Sequence, residues 1–358
     1  MNNKAVIAMS GGVDSSVAAY LMKQRGFDCI GVTMKLFANE DIGISREHSC
    51  CSLDDVEDAR SVAYSLDMPY YVFNFSDRFE TDVIDRFIHA YENGITPNPC
   101  IACNRYLKFD KLYMRAKELD RDYVVTGHYA RVGKDGNGRF LLKKALDDTK
   151  DQSYVLYCLT QEQLSHTIFP LGEMRKSQAR EIAESQGFIN ARKADSQDIC
   201  FVQNGSYADF IEQYTGKNYP DGDFLDTNGN VIGRHKGVIR YTVGQRKGLG
   251  ISAPEPLYVK AVNPVSNTVT LSYNDGLYSS IVKAGDINLI SVPEIKGEMR
   301  VKAKVRYRHT EQWATVTQNG DTITAVFDEP QRAVTCGQAL VLYDRDTVVG
   351  GGTIIEVK

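Results

Sequence analysis

A compact apolar run, Ala5 to Met9, leads directly into Ser10-Gly11-Gly12-Val13-Asp14-Ser15-Ser16, and that junction constrains the chain more than any other feature. A strand that stops at a glycine turn and restarts as a helix gathers successive backbone N–H groups and the positive end of the helix dipole at one point. That point suits an anion. Two glycines let backbone approach a phosphate closely, and the hydroxyls of Ser10, Ser15 and Ser16 offer further donors and a cap for the helix. No lysine follows the glycines, so the loop is not of the Walker A type. A capped strand-to-helix turn with nothing bound is the plainer alternative. Asp14 is expected either to help hold Mg²⁺ or to stabilise the helix start by its charge.

Beyond this loop the first third of the chain alternates strands with helices. Ser15 to Gln24 has helical spacing, Ile30 to Met34 reads as a strand, and Asp54 to Leu66 places Val56, Ala59, Ala63 and Leu66 on one stripe. Tyr70 to Phe75 is aromatic and strand-like, and Phe79, Val83 and Phe87 recur at helical spacing. After the breaker-rich Asn93 to Pro99 a helix runs to about Leu119, and Tyr123 to Thr126 supplies another strand. This order predicts an α/β fold with a parallel, Rossmann-like sheet covered on both faces. If the loop holds the phosphates of a nucleotide, its adenosine would lie beyond the strand ends, which makes Met34 and Gly127 candidates for that site, with core filler as the plainer reading of Met34. Past about Phe201 helical periodicity fades. From about Asp275 short strands alternate with turns, including Arg300 to Arg308, Thr322 to Phe327, Ala339 to Tyr343 and Thr353 to Val357, as in a small β-barrel or sandwich.

The formal net charge is −4, which argues against indiscriminate adhesion to nucleic acid and confines any such site to a local patch. No stretch is long and apolar enough to span a membrane and the first residues do not read as a signal peptide, so a cytoplasmic location is expected. Eight cysteines in a chain of 358 residues suit thiol or metal chemistry better than a disulfide scaffold, and most are expected to be reduced at rest. Cys29, Cys158 and Cys336 read as structural, and no role follows from Cys50 and Cys51. Cys103 is different: Thr96-Pro97-Asn98-Pro99-Cys100-Ile101-Ala102-Cys103-Asn104 leads from a rigid loop into a helix, and a cysteine in a first helical turn is biased toward thiolate. Far away, Asp195-Ser196-Gln197-Asp198-Ile199-Cys200-Phe201 carries another cysteine in a polar turn. Two such thiols suit sulfur transfer, one carrying a persulfide and the other resolving it through a disulfide bond.

The glycine loop resembles the pyrophosphate loop of ATP pyrophosphatases, which split ATP into AMP and pyrophosphate. Taken in order, SGGVDSS, GVTMKL, TPNPxxxCN, TGHYAR, KDQSYVLY, DSQDICF and YTVGQRKGLGI resemble the tRNA-specific 2-thiouridylases over nearly the whole chain. The resemblance implies a PP-loop ATP-binding and catalytic domain at 1–203, a central tRNA-binding domain at 204–275 and a C-terminal β-barrel at 276–358. It implies ATP-dependent adenylation of the 2-oxygen of the wobble uridine and sulfur transfer to give 2-thiouridine. ATP would be held by Ala8, Met9, Ser10, Gly11, Gly12, Val13, Asp14, Ser15, Met34 and Gly127, with Cys103 as nucleophile and Cys200 as persulfide carrier. The tRNA anticodon arm would meet Asn98, Pro99, Cys100, His128, Lys150, Asp151, Gln152, Arg306, Tyr307 and Gln338. An upstream donor, such as a cysteine desulfurase or sulfur-relay protein, would supply sulfur; no membrane or DNA partner is expected.

One position departs from the pattern. Well-known members carry aspartate where this chain has Cys100, so a carboxylate base is absent, and a thiol with its higher resting pKa is no simple replacement. Cys100, Cys103 and Cys200 would together make three thiols able to ligate an iron–sulfur cluster, with zinc or plain redox chemistry as alternatives. Two basic stretches are candidates for RNA contact. In Arg300 to His309 strand alternation sets Val301, Ala303, Val305 and Tyr307 on one face and five cations on the other, which fits either a phosphate backbone or a solvated strand. Arg234-His235-Lys236, Arg240-Tyr241 and Gln245-Arg246-Lys247 form the second.

Overall fold

A computed structural model describes residues 2–37, 53–195, 199–202 and 206–358; Cys50, Cys51 and Ser196 to Asp198 lie outside the described residues. The apolar opening run forms β1 (Lys4–Ala8), followed by α1 (Val13–Gln24), β2 (Asp28–Lys35), α2 (Leu53–Ser65), β3 (Tyr70–Asn74) and β4 (Tyr123–Val125). Ala5, Val6 and Ile7 are fully buried, which explains a continuous rather than alternating apolar pattern in the central parallel strand. β1 pairs in parallel with β2 (Ala5 opposite Cys29) and with β4 (Val6 opposite Val124). Small residues on the covering helices, Ala18 and Ala19 of α1 and Ala59 and Ala63 of α2, let backbones sit close to the sheet, with Val17, Met22 and Val62 filling between.

A hairpin of β5 (Arg131–Lys134) and β6 (Phe140–Lys143) precedes β7 (Thr167–Ile168), which extends the sheet to the order β3-β2-β1-β4-β7. The order reverses beside β1, so the crevice at the strand ends opens between the glycine loop and Gly127. Sequence periodicity finds neither the hairpin nor β7, because a two-residue strand has no period to detect. It also reads as uniform two helices that are not. The one after β3 passes through a π-helical stretch at Glu80–Ile84, and the one after the proline loop runs as Pro99–Ala102, a π-helical Cys103–Lys111 and Leu112–Glu118.

Two compact units emerge. The first holds 1–83, 99–203 and 345–350; the second holds 84–98, 204–344 and 351–358. Residues 84–98 thus pack with the second unit, where Tyr91 stacks on Tyr207 at 4.4 Å between ring centroids and Glu92 accepts from Lys217 and Tyr219, both at 2.6 Å. Within that unit β8 (Gly222–Leu225), β9 (Val231–His235), β10 (Tyr258–Asn263) and β11 (Thr268–Ser272) make a sheet in the order β10-β11-β8-β9, around Phe224, Val259, Val269 and Leu271. β12 (Tyr278–Leu289), β13 (Met299–Lys304), β14 (Gln312–Asn319), β15 (Thr322–Arg332), β16 (Ala339–Asp344) and β17 (Thr347–Val357) pair in the order β12-β15-β14-β13-β16-β17, and β12 also pairs with β17, closing a barrel. Its inward residues, among them Val301, Ala303, Ala314, Val316, Ile323 and Ala325, are buried as the alternation requires.

Candidate active site

Gly12 is the residue that caps α1, and no side chain supplies a capping bond there. The serines expected to cap the helix turn elsewhere: Ser15 Oγ and Ser16 Oγ both donate to the Gly12 carbonyl, at 3.0 and 3.1 Å, and Ser10 N donates to Ser15 Oγ at 3.2 Å. Neither Gly12, which has no side chain, nor these hydroxyls supply a side-chain cap to the first turn of α1, and a helix start without such a cap favours an anion. Gly11 adopts φ +73°, and its position presses on the backbone of Asp55 in α2. Gly127, at the end of β4, lies against the first turn of α1: a Cβ there would stand 2.7 Å from Ser15 N and from the Asp14 carbonyl carbon. Met34 sits half-buried near the end of β2.

Asp14 does not face the solvent alone. Lys176 Nζ donates to its two oxygens at 2.7 and 2.8 Å, and Tyr129 Oη donates to Oδ1 at 2.8 Å. The same ammonium lies 2.8 Å from Asp195, which also receives Lys150 (2.8 Å) and Arg180 (3.1 Å). Burial alone would raise the Asp195 pKa, but hydrogen bonds and charge from Lys150 and Lys176 outweigh it and bring it down to about 2. The Tyr129 hydroxyl goes the other way, raised by burial and then by the Asp14 carboxylate. Asn190, 2% exposed, donates to the Gly11 carbonyl and to Ser16 Oγ, both at 2.9 Å, and Lys193 reaches Asp55 (2.5 Å) and Asp58 (2.7 Å) in α2. Between Asn190 and Asp195, then, the chain running toward Cys200 is tied three times to the walls of the glycine loop. Sequence reading missed Lys176, Asn190 and Lys193, none of which stands in a residue pattern of its own.

The two thiols of interest have different surroundings. Cys103 is 8% exposed and begins the π-helical stretch. Its helix starts at Pro99, so Cys103 stands one turn in rather than in the first turn as expected, and Cys100 occupies that turn, exposed. Asn104 beside it is buried and donates to the Val155 carbonyl at 3.0 Å. π-Helical insertions of this sort recur at functional positions. Cys200 is half-buried and is followed by Phe201, 1% exposed, whose ring meets Phe79 edge-on at 5.7 Å. Phe79 ends the helical turn Ser76–Phe79, which itself contacts Cys103–Lys111. The six described cysteines are thiols. The alternative of a three-thiol ligand set is not assembled: among the described residues no three His, Cys, Asp or Glu side chains converge as a metal site.

Residues expected at an RNA surface are largely engaged in holding the protein together. Lys150 pairs with Asp195, Asp151 accepts from Ala145 N and from the Ser153 amide and hydroxyl, and Gln152 exchanges bonds with the Tyr129 backbone at 2.9 Å. Gln338 Nε2 donates to the carbonyls of Thr96 (2.9 Å) and Pro97 (3.1 Å), steadying the loop that leads to the half-buried Asn98 and the buried Pro99. Arg306 turns inward to the Val243 carbonyl (2.9 Å) and Thr335 Oγ1, while Tyr307 stays exposed beside Lys304. The expected basic ribbon ends early, because β13 stops at Lys304, and Arg300 is held bidentately by Asp328 at 2.7 and 2.8 Å. In the second basic stretch Arg240 pairs with Asp209 and Glu212, His235 and Tyr241 are buried, and Arg246 and Lys247 remain exposed.

His128 packs between Phe109 and Phe169 at about 6 Å, with Thr126 Oγ1 2.6 Å from Nδ1. Desolvation, with Lys108 nearby, lowers its pKa well below 6.5. The unfolded chain therefore binds this proton more readily, and the stability contributed by a neutral His128 is full above about pH 6.5 and is lost as pH falls below it. His128→Phe is expected to lose less melting temperature than the wild type between about pH 7 and pH 5; equal losses would contradict the assignment. The comparison of variant with parent is needed because burial lowers His235 and His309 as well.

Compared with known proteins, residues 3–204 match the family model described as tRNA methyl transferase HUP domain, 208–273 the tRNA methyl transferase PRC-barrel domain, and 279–354 the aminomethyltransferase beta-barrel domain. The tRNA-specific 2-thiouridylase MnmA of Clostridioides difficile (strain 630) is 52% identical over 356 residues, 99% of this chain and 98% of that protein. The protein of the same name from Lachnoclostridium phytofermentans is 52% identical over 355 residues, 99% of each chain. A solved 4-thiouridine synthetase–RNA complex with bound ATP is 19% identical, covering 59% of this chain and 50% of that one at a TM-score of 0.36, a likeness too loose to bear on the site. Half-identity sustained over 99% of the chain places it in the tRNA-specific 2-thiouridylase family.

Proposed function

We propose that this protein is an ATP-dependent tRNA sulfurtransferase that converts the wobble uridine of the anticodon arm to 2-thiouridine, releasing AMP and pyrophosphate. The observation that carries the reading is the uncapped helix entrance at Gly11 and Gly12, to whose walls the strand of chain leading to Cys200 is tied by Asn190, Lys193 and Asp195. It sets the start of the chain that continues to Cys200 beside the entrance read as the anion site. In this reading 1–203, 204–275 and 276–358 are the catalytic, central and barrel domains, and the enzyme works in the cytoplasm. No described helix is long and apolar enough to cross a membrane.

The 2-oxygen of uracil is a poor leaving group. Attack of that oxygen on the α-phosphorus of ATP expels pyrophosphate, whose charge the α1 amides stabilise, and leaves AMP as the group to be displaced. Gly127 and Met34 line the adenosine side, and Ala8 to Ser15 the phosphates. Mg²⁺ would be held by the phosphates of the nucleotide and would supply neutralising charge there, since both Asp14 oxygens already bond to Lys176 or Tyr129. The terminal sulfur of a Cys200 persulfide attacks carbon-2, AMP leaves with the oxygen, and uracil is joined to Cys200 through S–S. The Cys103 thiolate then attacks the Cys200 sulfur, releasing thiouridine and forming a Cys103–Cys200 disulfide, which a two-electron reductant resets. An upstream donor reloads Cys200. Cys100, Cys103 and Cys200 as placed do not fit a cluster, so no step is routed through one.

Exposed Tyr307, Arg246 and Lys247 provide RNA contacts, and Asn98 to Cys100, steadied by Gln338, receive the extruded base, an extrusion that an anticodon loop makes inexpensive. Methyl transfer, the activity in the names of the matching domain families, would leave both the phosphate entrance and the thiol pair without a use. One assay separates the readings: unmodified tRNA should trigger pyrophosphate release, followed by 2-thiouridine in the digested RNA. Methylated product, or no pyrophosphate, would overturn the proposal.

A further inference from the structure

Asn190 stands outside every helix and strand, yet it is buried and its turn is firmly mounted. Ala191 N donates to the Phe188 carbonyl and Lys193 N to the Asn190 carbonyl, both at 3.0 Å, and Phe188 packs edge-on against Tyr20 of α1. Asn190 Nδ2 lies 2.9 Å from the Gly11 carbonyl, which can only accept, so the carboxamide must present its nitrogen there. The second hydrogen goes to Ser16 Oγ, whose own proton is given to the Gly12 carbonyl at 3.1 Å. Both N–H bonds of one side chain are thus committed to the glycine loop. Its oxygen, by contrast, is buried and meets no donor among the described residues. An unmet buried acceptor is destabilising, and a residue kept for its nitrogen alone accounts for it.

In a trans peptide C=O and N–H point in opposite directions, and among the described residues no peptide bond is cis. Holding the Gly11 carbonyl toward Asn190 therefore turns the Gly12 N–H away from it. The amides that follow are oriented by α1, where Ser16 N already donates to the Gly12 carbonyl. The Gly11–Gly12 peptide precedes that ladder, and the two glycine torsions beside it let the plane flip at little steric cost. We propose that Asn190 is a positioning residue that latches this peptide with its N–H directed at the anion entrance. Released, the plane turns a carbonyl oxygen toward the phosphates and replaces a donor by a repelling dipole. The inference rests on the proposed reading, in which ATP phosphates bind at this entrance.

The test is ATP affinity, measured by isothermal titration calorimetry on the full-length enzyme, with tRNA affinity and melting temperature beside it. Asn190→Leu keeps the volume and the neutral charge but has no donor. Its ATP affinity is expected to fall by about ten-fold or more, the effect of about 1.4 kcal/mol, with tRNA affinity within about two-fold of the parent's. Asn190→Asp is expected to be at least as weak at about pH 8, and to recover toward about pH 5, where its protonated form again donates one hydrogen. Leucine has no proton to regain. Asp14, Asp55 and Lys193, the charged groups around the loop and the turn, are common to both variants, so their titration and that of ATP cancel when the two are compared at each pH. A role in packing alone gives no such divergence. Wild-type ATP affinity in Asn190→Leu, or an Asn190→Asp protein that binds no more tightly than Asn190→Leu at about pH 5, overturns the latch. Should Asn190→Leu melt too low to assay, the pH profile of Asn190→Asp against the wild type carries the test, and parallel profiles overturn the latch. A wild type that binds no ATP or makes no thiouridine would instead overturn the underlying function.

Discussion

Cys200→Ser is expected to form no 2-thiouridine while still releasing pyrophosphate when ATP and unmodified tRNA are added. Serine oxygen cannot carry a sulfane sulfur, so the loss should be on the order of 10³-fold or more, as for removal of other covalent nucleophiles. Adenylation depends on the α1 entrance and not on the thiol, which is why the two activities should part. Cys103→Ser is expected to differ in an informative way. Sulfur can still reach carbon-2, but the S–S bond joining uracil to Cys200 then has no internal nucleophile to cleave it. A protein–RNA adduct should accumulate, visible as a slow band on a denaturing gel and released by dithiothreitol together with thiouridine. Normal thiolation by Cys200→Ser with the physiological sulfur source, or an adduct-free Cys103→Ser that turns over, would refute the assignment of the two thiols.

Much of this was legible because its causes are local. A buried parallel strand reads as Ala5 to Met9 whatever lies around it, and a strand-to-helix glycine turn exposes its amides by geometry alone. The barrel interior was likewise visible in the alternation of Val301 and Ala303, which a pleated strand enforces. What could not be read is whatever depends on partners distant in sequence. Lys176 stands in an ordinary surface-like stretch, Arg175-Lys176-Ser177-Gln178, and only the fold reveals that it bridges Asp14 and Asp195. The reverse error occurred with Arg300 and Arg240, whose side chains looked like free cations and are engaged by Asp328, Asp209 and Glu212. Charge patterns give the sign of a surface but not how much of it is already neutralised. The π-helical stretch beginning at Cys103 escaped for a third reason: a widened turn is set by which backbone groups bond, and no residue type marks it in the sequence.

The glycine pair offers the sharpest separation of fold from function, because its two members are constrained by different things. Gly11 has φ +73°, and a Cβ on it would lie 2.7 Å from Asp55 Cα and closer still to the Asp55 carbonyl oxygen. That backbone cannot easily retreat, since Lys193 holds the Asp55 and Asp58 side chains and Tyr70 Oη donates to the Val56 carbonyl at 3.2 Å. Gly11→Ala should therefore suffer left-handed strain of about 1–2 kcal/mol and overpacking of about 1–3 kcal/mol, losing both melting temperature and nucleotide binding. Gly12 has φ −91°, acceptable to any residue, and the nearest atom to an added Cβ is Ser10 Oγ at 3.5 Å. Gly12→Ala should melt close to the wild type. If phosphates sit against this backbone, its methyl group occupies the approach, and ATP affinity should fall by about ten-fold or more, the effect of about 1.4 kcal/mol. A Gly12→Ala protein that is stable and binds ATP as tightly as its parent would show that the phosphates lie elsewhere, and the chemistry assigned to this entrance would have to move with them.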